Sequence, residues 1–213
     1  MTISVEDLLN SIMASLDRFS YIRYEDIPNI DLYMDQVTTF MDERLRATTR
    51  NPGEDKILTK TMINNYAKND LLPPPVKKKY SREHVLVLIM IYYLKGVLSF
   101  NDIQTLLEPV TSKYFDKKDG FNLQDIYKEV FNIEEIQKES LKSDIALKIE
   151  HAEKMFSDAP KEDEEFFVLF ALIIQLGFDV YAKRLLIEKI LDGYREKHSQ
   201  KPESKKKKEP KTE

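Results

Sequence analysis

The chain has 213 residues and a mass of 25.1 kDa, enough for one medium domain or two small ones. Charged residues make up 33% of it and hydrophobic residues 42%, but only 5 glycines and 9 prolines are available to form turns. This composition argues against β-sandwiches and propellers, which need frequent tight turns, and it predicts an all-α, mainly helical fold.

The absence of cysteine excludes disulfides, thiolate nucleophiles and Cys-ligated zinc or iron–sulfur sites. Because no signal-peptide pattern is evident either, we expect a cytoplasmic protein. No phosphate-binding glycine loop, Ser–His–Asp set or paired-carboxylate site stands out, so we expect no enzyme and no cofactor. His84, His151 and His198 are expected at the surface, and the acidic run Glu162–Glu165 suits a first helical turn better than a metal site.

The net charge of −4 hides an uneven distribution along the chain. Residues 1–55 carry 5 basic and 11 acidic side chains, and residues 100–165 carry 9 and 17. Between them, residues 56–99 carry 8 basic and only 2 acidic side chains. A basic block between two acidic ones is typical of a polyanion-binding module, although solvated helix faces give the same totals.

The first 56 residues contain two predicted helices followed by a loop. Apolar residues at helical spacing predict a helix over Ile3–Leu16 with Ser4 as its N-cap. A second apolar stripe predicts a helix from about Asn29 to Arg46. Residues 48–56 (TTRNPGEDK) have the composition of a loop.

A short amphipathic helix is predicted over residues 59–69. Its inner face carries Ile63 and Tyr66, which we expect to hold it against a core. Its opposite face has no carboxylate and carries side chains that can donate hydrogen bonds to base edges and phosphates: Lys60, Thr61, Asn64, Asn65 and Lys68.

An extended basic turn and two further helices follow. Three consecutive prolines, Pro73–Pro75, force an extended segment that leads to Lys77–Lys79 and Tyr80. Ser81 is expected to cap an apolar helix over about residues 82–95, which begins with Arg82. A capping box over Ser99–Asp102 opens a short helix that Pro109 is expected to end.

The C-terminal part is predicted to be acidic and helical, with helices over roughly 122–133, 133–156 and 162–196. We expect a disordered lysine-rich tail, because its residues include no apolar side chains. The predicted organisation is an N-terminal DNA-binding domain over residues 1–110 and a C-terminal helical domain for dimerisation or effector binding over residues 111–196. The tail covers residues 197–213.

The last predicted helix is apolar almost all round. The run Phe166–Leu176 is shorter than the roughly 20 residues that cross a bilayer, so we expect a buried helix and no membrane partner. A helix of this kind must be covered on most sides, which predicts a homodimer in which a second copy completes the burial. Coverage within one chain by the helix Ile3–Leu16 is the alternative.

Residues 57–107, taken in order, resemble the N-terminal DNA-binding domain of MerR-type transcription regulators. In that family a recognition helix of the form T-[LI]-R-Y-Y leads into Leu-Leu-Pro, a basic wing ending R-x-Y-S, a further helix and a Gly-[FV]-S-[LF]-x-[ED]-I segment. The corresponding segments are Met62–Tyr66, Leu71–Pro73, Lys79–Ser81, Glu83–Val85 and Gly96–Ile103. The whole chain also resembles a family of uncharacterised bacterial proteins that has a domain-of-unknown-function label and to which a MerR-like module is ascribed.

The resemblance implies a winged helix-turn-helix and a transcription regulator that binds double-stranded DNA as a dimer. Helix 59–69 would enter the major groove, Lys77, Lys78, Lys79 and Arg82 would contact phosphates, and Tyr80 would hold the wing against the following helix. Asn64 and Asn65 replace the family's Arg and first Tyr, so the DNA sequence recognised is expected to differ. A helical protein-interaction adaptor is the alternative, and the identity of any effector stays open.

Overall fold

The computed structural model describes residues 5–18, 21–156 and 158–199. The fold is mostly helical, as predicted. Its elements in chain order are α1 (Val5–Arg18), β1 (Leu32–Tyr33), α2 (Met34–Leu45), α3 (Lys60–Lys68), β2 (Lys79–Tyr80), α4 (Arg82–Leu94), α5 (Phe100–Tyr114), α6 (Leu123–Phe131), α7 (Glu134–Met155) and α8 (Glu164–Ser199). The predicted N-cap Ser4 lies outside the described residues.

The main hydrophobic core surrounds α4, an apolar helix with seven buried residues. Helices α2, α3, α5 and α6 and the segment before β1 all contribute side chains to it. Full burial of one such aliphatic side chain stabilises the fold by about 1.5–3 kcal/mol. The largest contributors include Ile27, Met41, Leu45, Ile63, Leu72, Leu86, Leu88, Ile89, Ile91 and Tyr127. The core therefore continues beyond residue 110, where the first domain was predicted to end.

Two predicted helix boundaries differ from the structure by about five residues. The second helix begins at Met34 rather than Asn29, because residues 32–33 form β1 and pair with β2. Helix α5 does not end at Pro109 but continues to Tyr114. Proline removes one backbone hydrogen bond within a helix, and contacts of Val110 and Tyr114 with the main core offset that loss.

Helices α7 and α8 pack along each other. Lys148 of α7 pairs with Asp144 on its own helix and lies 2.8 Å from Asp179 of α8. A small second cluster of buried residues lies between α1, α7 and α8, where Leu9 packs with Ala152, Val168, Ala171 and Leu172. The first helix therefore covers only one part of α8.

The C-terminal part of α8 returns to the main core. Leu191 is buried there and Ile187 packs beside it. The guanidinium of Arg195 contacts Asp102 Oδ1 at 2.7 Å and Thr105 Oγ1 at 3.0 Å, both in α5. Helix α8 extends three residues past its predicted end, and residues 200–213 of the predicted tail lie outside the described part of the chain.

Within one chain the run Phe166–Leu176 is only partly buried, since Val168, Ala171 and Leu172 are its buried members. Phe166, Ile173 and Ile174 are exposed, and only 17% of the most apolar 18-residue window of α8 is buried. Among the described residues, α8 alone is long and apolar enough to cross a membrane, judged by length and composition.

Candidate nucleic-acid interface

Helix α3 presents the polar face that its sequence predicts. Thr59 caps it by accepting a hydrogen bond from the Met62 amide at 3.1 Å. Ile63 and Tyr66 are buried in the main core. All five predicted contact residues on the other side of the helix are exposed: Lys60, Thr61, Asn64, Asn65 and Lys68.

A left-handed residue ends α3 and turns the chain back toward the core. Asp70 has φ of 55°, and the amide of Leu71 donates to the carbonyl of Tyr66 at 2.9 Å. This 6→1 hydrogen bond is the Schellman type of helix end. It leads directly into Leu71 and Leu72, which are buried, so the orientation of α3 is set at both of its ends.

The lysine segment forms a two-residue β-hairpin turn. Val76 and Lys79 exchange backbone hydrogen bonds of 3.1 and 2.9 Å. Between them, Lys77 and Lys78 have φ values of 51° and 63°. Positive φ at both central residues defines a type I′ turn, which normally has Asn and Gly at these positions. Both lysine side chains are exposed at the tip of this hairpin, which we call the lysine tip (Val76–Lys79).

A short antiparallel pairing anchors the lysine tip. Leu32 pairs with Tyr80 and Tyr33 with Lys79. The Nζ atom of Lys79 lies 5.3 Å from the centre of the Tyr33 ring, within the range of a cation–π contact. Tyr80 is buried and packs edge-on against the His84 ring of α4, so its side chain supports the hairpin.

His84 is buried, contrary to the prediction of a surface histidine. Its Nδ1 atom accepts a hydrogen bond from the Ser81 amide at 2.9 Å, which completes the cap of α4. The ring also packs edge-on against Phe115. Burial lowers the pKa of His84, so the neutral form is favoured. His84 therefore positions the hairpin and the start of α4.

The guanidinium of Arg82, a predicted phosphate contact, makes its hydrogen bonds within the chain. Its Nη2 atom donates to the carbonyls of Tyr24 and Ile27, each at 2.8 Å. The guanidinium also lies over the Tyr24 ring, 3.7 Å from its centre. The first turn of α4 points this long side chain toward the segment before β1. Tyr24 and Ile27 lie 58 and 55 positions earlier in the chain, so the local sequence pattern cannot predict these contacts.

Some of the polar side chains on α3 have partners within the chain. Lys60 pairs with Asp35 of α2. The Nδ2 atom of Asn69 donates to the Asn65 carbonyl at 2.8 Å and to Asn65 Oδ1 at 3.0 Å. In the described part of the chain, no hydrogen bond involves the Asn64 side chain. Asn69 was not predicted as a site residue, although its spacing of four from Asn65 places it on the same face.

The site combines an exposed amide- and hydroxyl-bearing helix with a cationic hairpin that begins eight residues after the helix ends. Neutral amides can donate to and accept from base edges, whereas lysines bind phosphates at sites of any sequence. No group of three or more metal-ligating side chains occurs in the described ranges.

The comparisons with known proteins give one match. A family model described as a domain of unknown function, DUF1836, matches residues 22–130, about half of the chain. No curated protein and no solved structure gives a significant match. The matched region contains the candidate interface and the buried residues of the main core except Leu191 of α8. The chain therefore belongs to the DUF1836 family.

Proposed function

We propose that this protein is a sequence-specific DNA-binding transcription regulator with a MerR-like winged helix-turn-helix. In this proposal α2 and α3 are the helix-turn-helix, α3 lies in the major groove, and the lysine tip is the wing. The first contact with DNA is electrostatic, and base contacts from α3 then select the site.

The backbone of the lysine tip is the observation that carries the proposal. A residue other than glycine in the left-handed region costs roughly 1–2 kcal/mol. The φ values of Lys77 and Lys78 are both positive, so both residues carry this cost. Asn at position 77 and Gly at position 78, the residues that a type I′ turn prefers, would lower it. Strained residues of this kind cluster at functional sites. Two lysine charges exposed at the tip of a hairpin that follows α3 in the chain suit binding to the phosphate backbone.

Base recognition is assigned to the exposed polar face of α3. An asparagine can form two hydrogen bonds with adenine, an interaction that provides about 1–3 kcal/mol of discrimination. Asn64 is the strongest candidate, because the Oδ1 atom of Asn65 already accepts from Asn69. Thr61 and Lys68 flank the asparagines and are assigned to nearby base edges or phosphates. Lys60 is assigned a phosphate contact that competes with its pair to Asp35.

Site selection from random duplex DNA, followed by binding titrations at several salt concentrations, tests the proposal. We expect one enriched motif and an affinity that falls steeply with salt, since each phosphate contact contributes about one unit to the slope. A lack of binding at about 50 mM salt would overturn the proposal and favour the protein-interaction adaptor. Binding without an enriched motif would overturn the assignment of α3 as a recognition helix.

A matched control separates the lysine tip from general charge effects. Lys77→Gln with Lys78→Gln should weaken binding to all duplexes and lower the salt slope by about two units. The control is Lys154→Gln with Lys161→Gln, which removes the same charge from exposed positions on α7 and in the loop after it. Equal losses in the two double variants would show that the lysine tip has no particular role.

A further inference from the structure

The first two-thirds of α8 presents an uncovered apolar strip. Seven of its side chains retain between 40% and 67% of their accessible surface: Phe166, Phe170, Ile173, Ile174, Phe178, Tyr181 and Leu185. On the other side of the helix α7 packs along α8, and Leu9 of α1 covers a part of it. An exposed apolar strip of this extent marks an interaction surface. We call these seven residues, with Gly177 among them, the α8 strip.

The area of the α8 strip matches that of a stable protein interface. A large side chain contributes about 200 Å² when fully exposed. At the observed exposures the α8 strip therefore offers on the order of 800 Å², which is the surface that one partner buries in an interface of standard size. The exposed strip is also uniformly apolar, as expected for an obligate homodimer rather than a transient complex.

A lipid bilayer is a poor occupant of this surface. The helix packed along α8 is rich in charge, and its Lys148 pairs with Asp144 and with Asp179 of α8 itself. Insertion of α8 into a bilayer would carry these groups into hydrocarbon or separate the two helices, and either change is costly. A second protein surface covers the α8 strip without disturbing this polar side.

Gly177 lies in the middle of the α8 strip, with nothing near the position of a Cβ atom. A glycine in a helix interior is destabilising by up to about 1 kcal/mol relative to alanine. Here it leaves space for another backbone to approach closely. Phe170, Ile173, Tyr181 and Arg184 are placed symmetrically about it, seven or four residues to either side.

The charges along α8 favour an antiparallel arrangement about Gly177. The helix begins with Glu164 and Glu165, and Lys183, Arg184 and Lys189 come later, where Arg184 already pairs with Glu188. Antiparallel pairing about Gly177 places Glu165 of one copy beside Lys189 of the other. Parallel pairing would place like charges together, at a cost in stability.

We propose that two copies of this chain pair through the α8 strip, antiparallel, with the two helices crossing at Gly177. Ile173 of each copy then lies beside Tyr181 of the other. Because the C-terminal part of α8 is held to α5 through Arg195 and Asp102, the pairing connects two complete main cores. This inference does not depend on DNA binding.

Sedimentation equilibrium of the full chain at micromolar concentration tests the proposal. We expect a species of twice the 25.1 kDa chain mass. Ile173→Lys and Tyr181→Glu should each give monomers that keep the helical circular-dichroism spectrum, because both side chains are mainly exposed within one chain. Val130→Lys, at an equally exposed position on α6, is the control and should leave the dimer intact.

Mixing variants tests the orientation. Equal amounts of the Ile173→Lys and Tyr181→Glu chains should form a heterodimer, because antiparallel pairing brings the introduced lysine beside the introduced glutamate. Monomers in the mixture would overturn the antiparallel arrangement. Gly177→Leu should weaken the dimer at least tenfold while raising helix stability, and an unchanged dimer would overturn the crossing at Gly177.

Two results would overturn the interface itself. One is a 25.1 kDa monomer for the unmodified chain at about 100 µM, well above the dissociation constant of an interface of this size. The other is a monomer that co-sediments with phosphatidylcholine–phosphatidylglycerol vesicles through the same seven side chains. Failure of DNA binding leaves the dimer proposal unaffected, so the two proposals fail separately.

Discussion

The Arg195 guanidinium near the end of α8 donates a hydrogen bond of 2.7 Å to Asp102 in the first turn of α5. Asp102 also completes the N-terminal capping box of α5 with Ser99. Two residues further along, the Nε2 atom of Gln104 donates to the carbonyl of Asn69 at the end of α3, at 3.0 Å. Helix α5 therefore contacts both the long C-terminal helix and the candidate recognition helix.

Substitution of Asp102 should loosen this connection. Asp102→Ala removes the capping box and the partner of Arg195, and we expect a loss of about 1–2 kcal/mol of stability. This corresponds to a decrease in melting temperature of roughly 2–8 °C for a chain of this size. Glu188→Gln, which removes only the exposed pair with Arg184, is the control. Equal melting temperatures for Asp102→Ala and the unmodified protein would contradict the structural role of Asp102.

The pH dependence of the contact between Asp102 and Arg195 follows from the pKa of the Asp102 carboxyl group. The Ser99 hydroxyl and the Arg195 guanidinium hold the pKa of Asp102 below its usual range. A carboxyl group with a lowered folded pKa stabilises the fold above its unfolded pKa, and this contribution is lost as the pH falls through the folded value. The difference between the unmodified and Asp102→Ala melting temperatures should therefore persist at pH 5 and decrease in stronger acid.

Replacing the two lysines of the lysine tip with residues that suit its turn should raise the stability of the fold and weaken DNA binding. Lys77→Asn with Lys78→Gly places the preferred residues in the type I′ turn, so we expect a gain of about 1 kcal/mol per relieved position. The same variant should bind DNA more weakly, with a salt slope lower by about two units. Thermal melts and binding titrations measure the two effects. A variant that gains no stability would show that the turn is unstrained.

Substitution of Asn64 and of Asn69 by alanine should have different effects on DNA binding. Asn64→Ala should relax base preference at one position at a cost of about 1–3 kcal/mol in specific binding, with an unchanged melting temperature. Asn69→Ala should have a smaller effect on binding, because its side chain acts through Asn65. Site selection with each variant provides the comparison. An unchanged motif with Asn64→Ala would remove Asn64 from the recognition surface.

His84 should make stability depend on pH near neutrality. Burial lowers its folded pKa below the ordinary value of 6.5, so its stabilising contribution is full above about pH 6.5. As the pH falls below this value, the unfolded chain takes up a proton first and the folded state loses stability. His84→Gln keeps a residue that can complete a capping box but cannot titrate. Its melting temperature should change less between pH 7 and pH 5.5 than that of the unmodified protein.

The local features were predictable because they depend on residues close in sequence. Helical periodicity placed Ile63 and Tyr66 inward and Asn64 outward, and the capping box of α5 followed from Ser99 and Asp102 three residues apart. The mainly helical fold is itself a consequence of few glycines and long amphipathic patterns. Such features need no knowledge of which elements pack together.

Contacts between distant segments determine the burial and the partners of side chains that local sequence patterns cannot predict. Arg82 lies in a basic block, but its hydrogen bonds go to Tyr24 and Ile27, brought near by the folding of the N-terminal segment. His84 is buried because Tyr80 and Phe115 close over it from two other elements. In both cases the side chain is compatible with the surface, and the position of its neighbours decides that Arg82 is partly buried and His84 fully buried.

The same distinction holds for α8. Its sequence determined a long apolar helix, since almost every turn carries large hydrophobic side chains. Which side stays uncovered depends on where α1 and α7 pack, and that was decided by long-range contacts such as Lys148 with Asp179 and Leu9 with Leu172. Periodicity is a property of one segment, whereas burial is a property of the neighbours that the whole chain assembles around it.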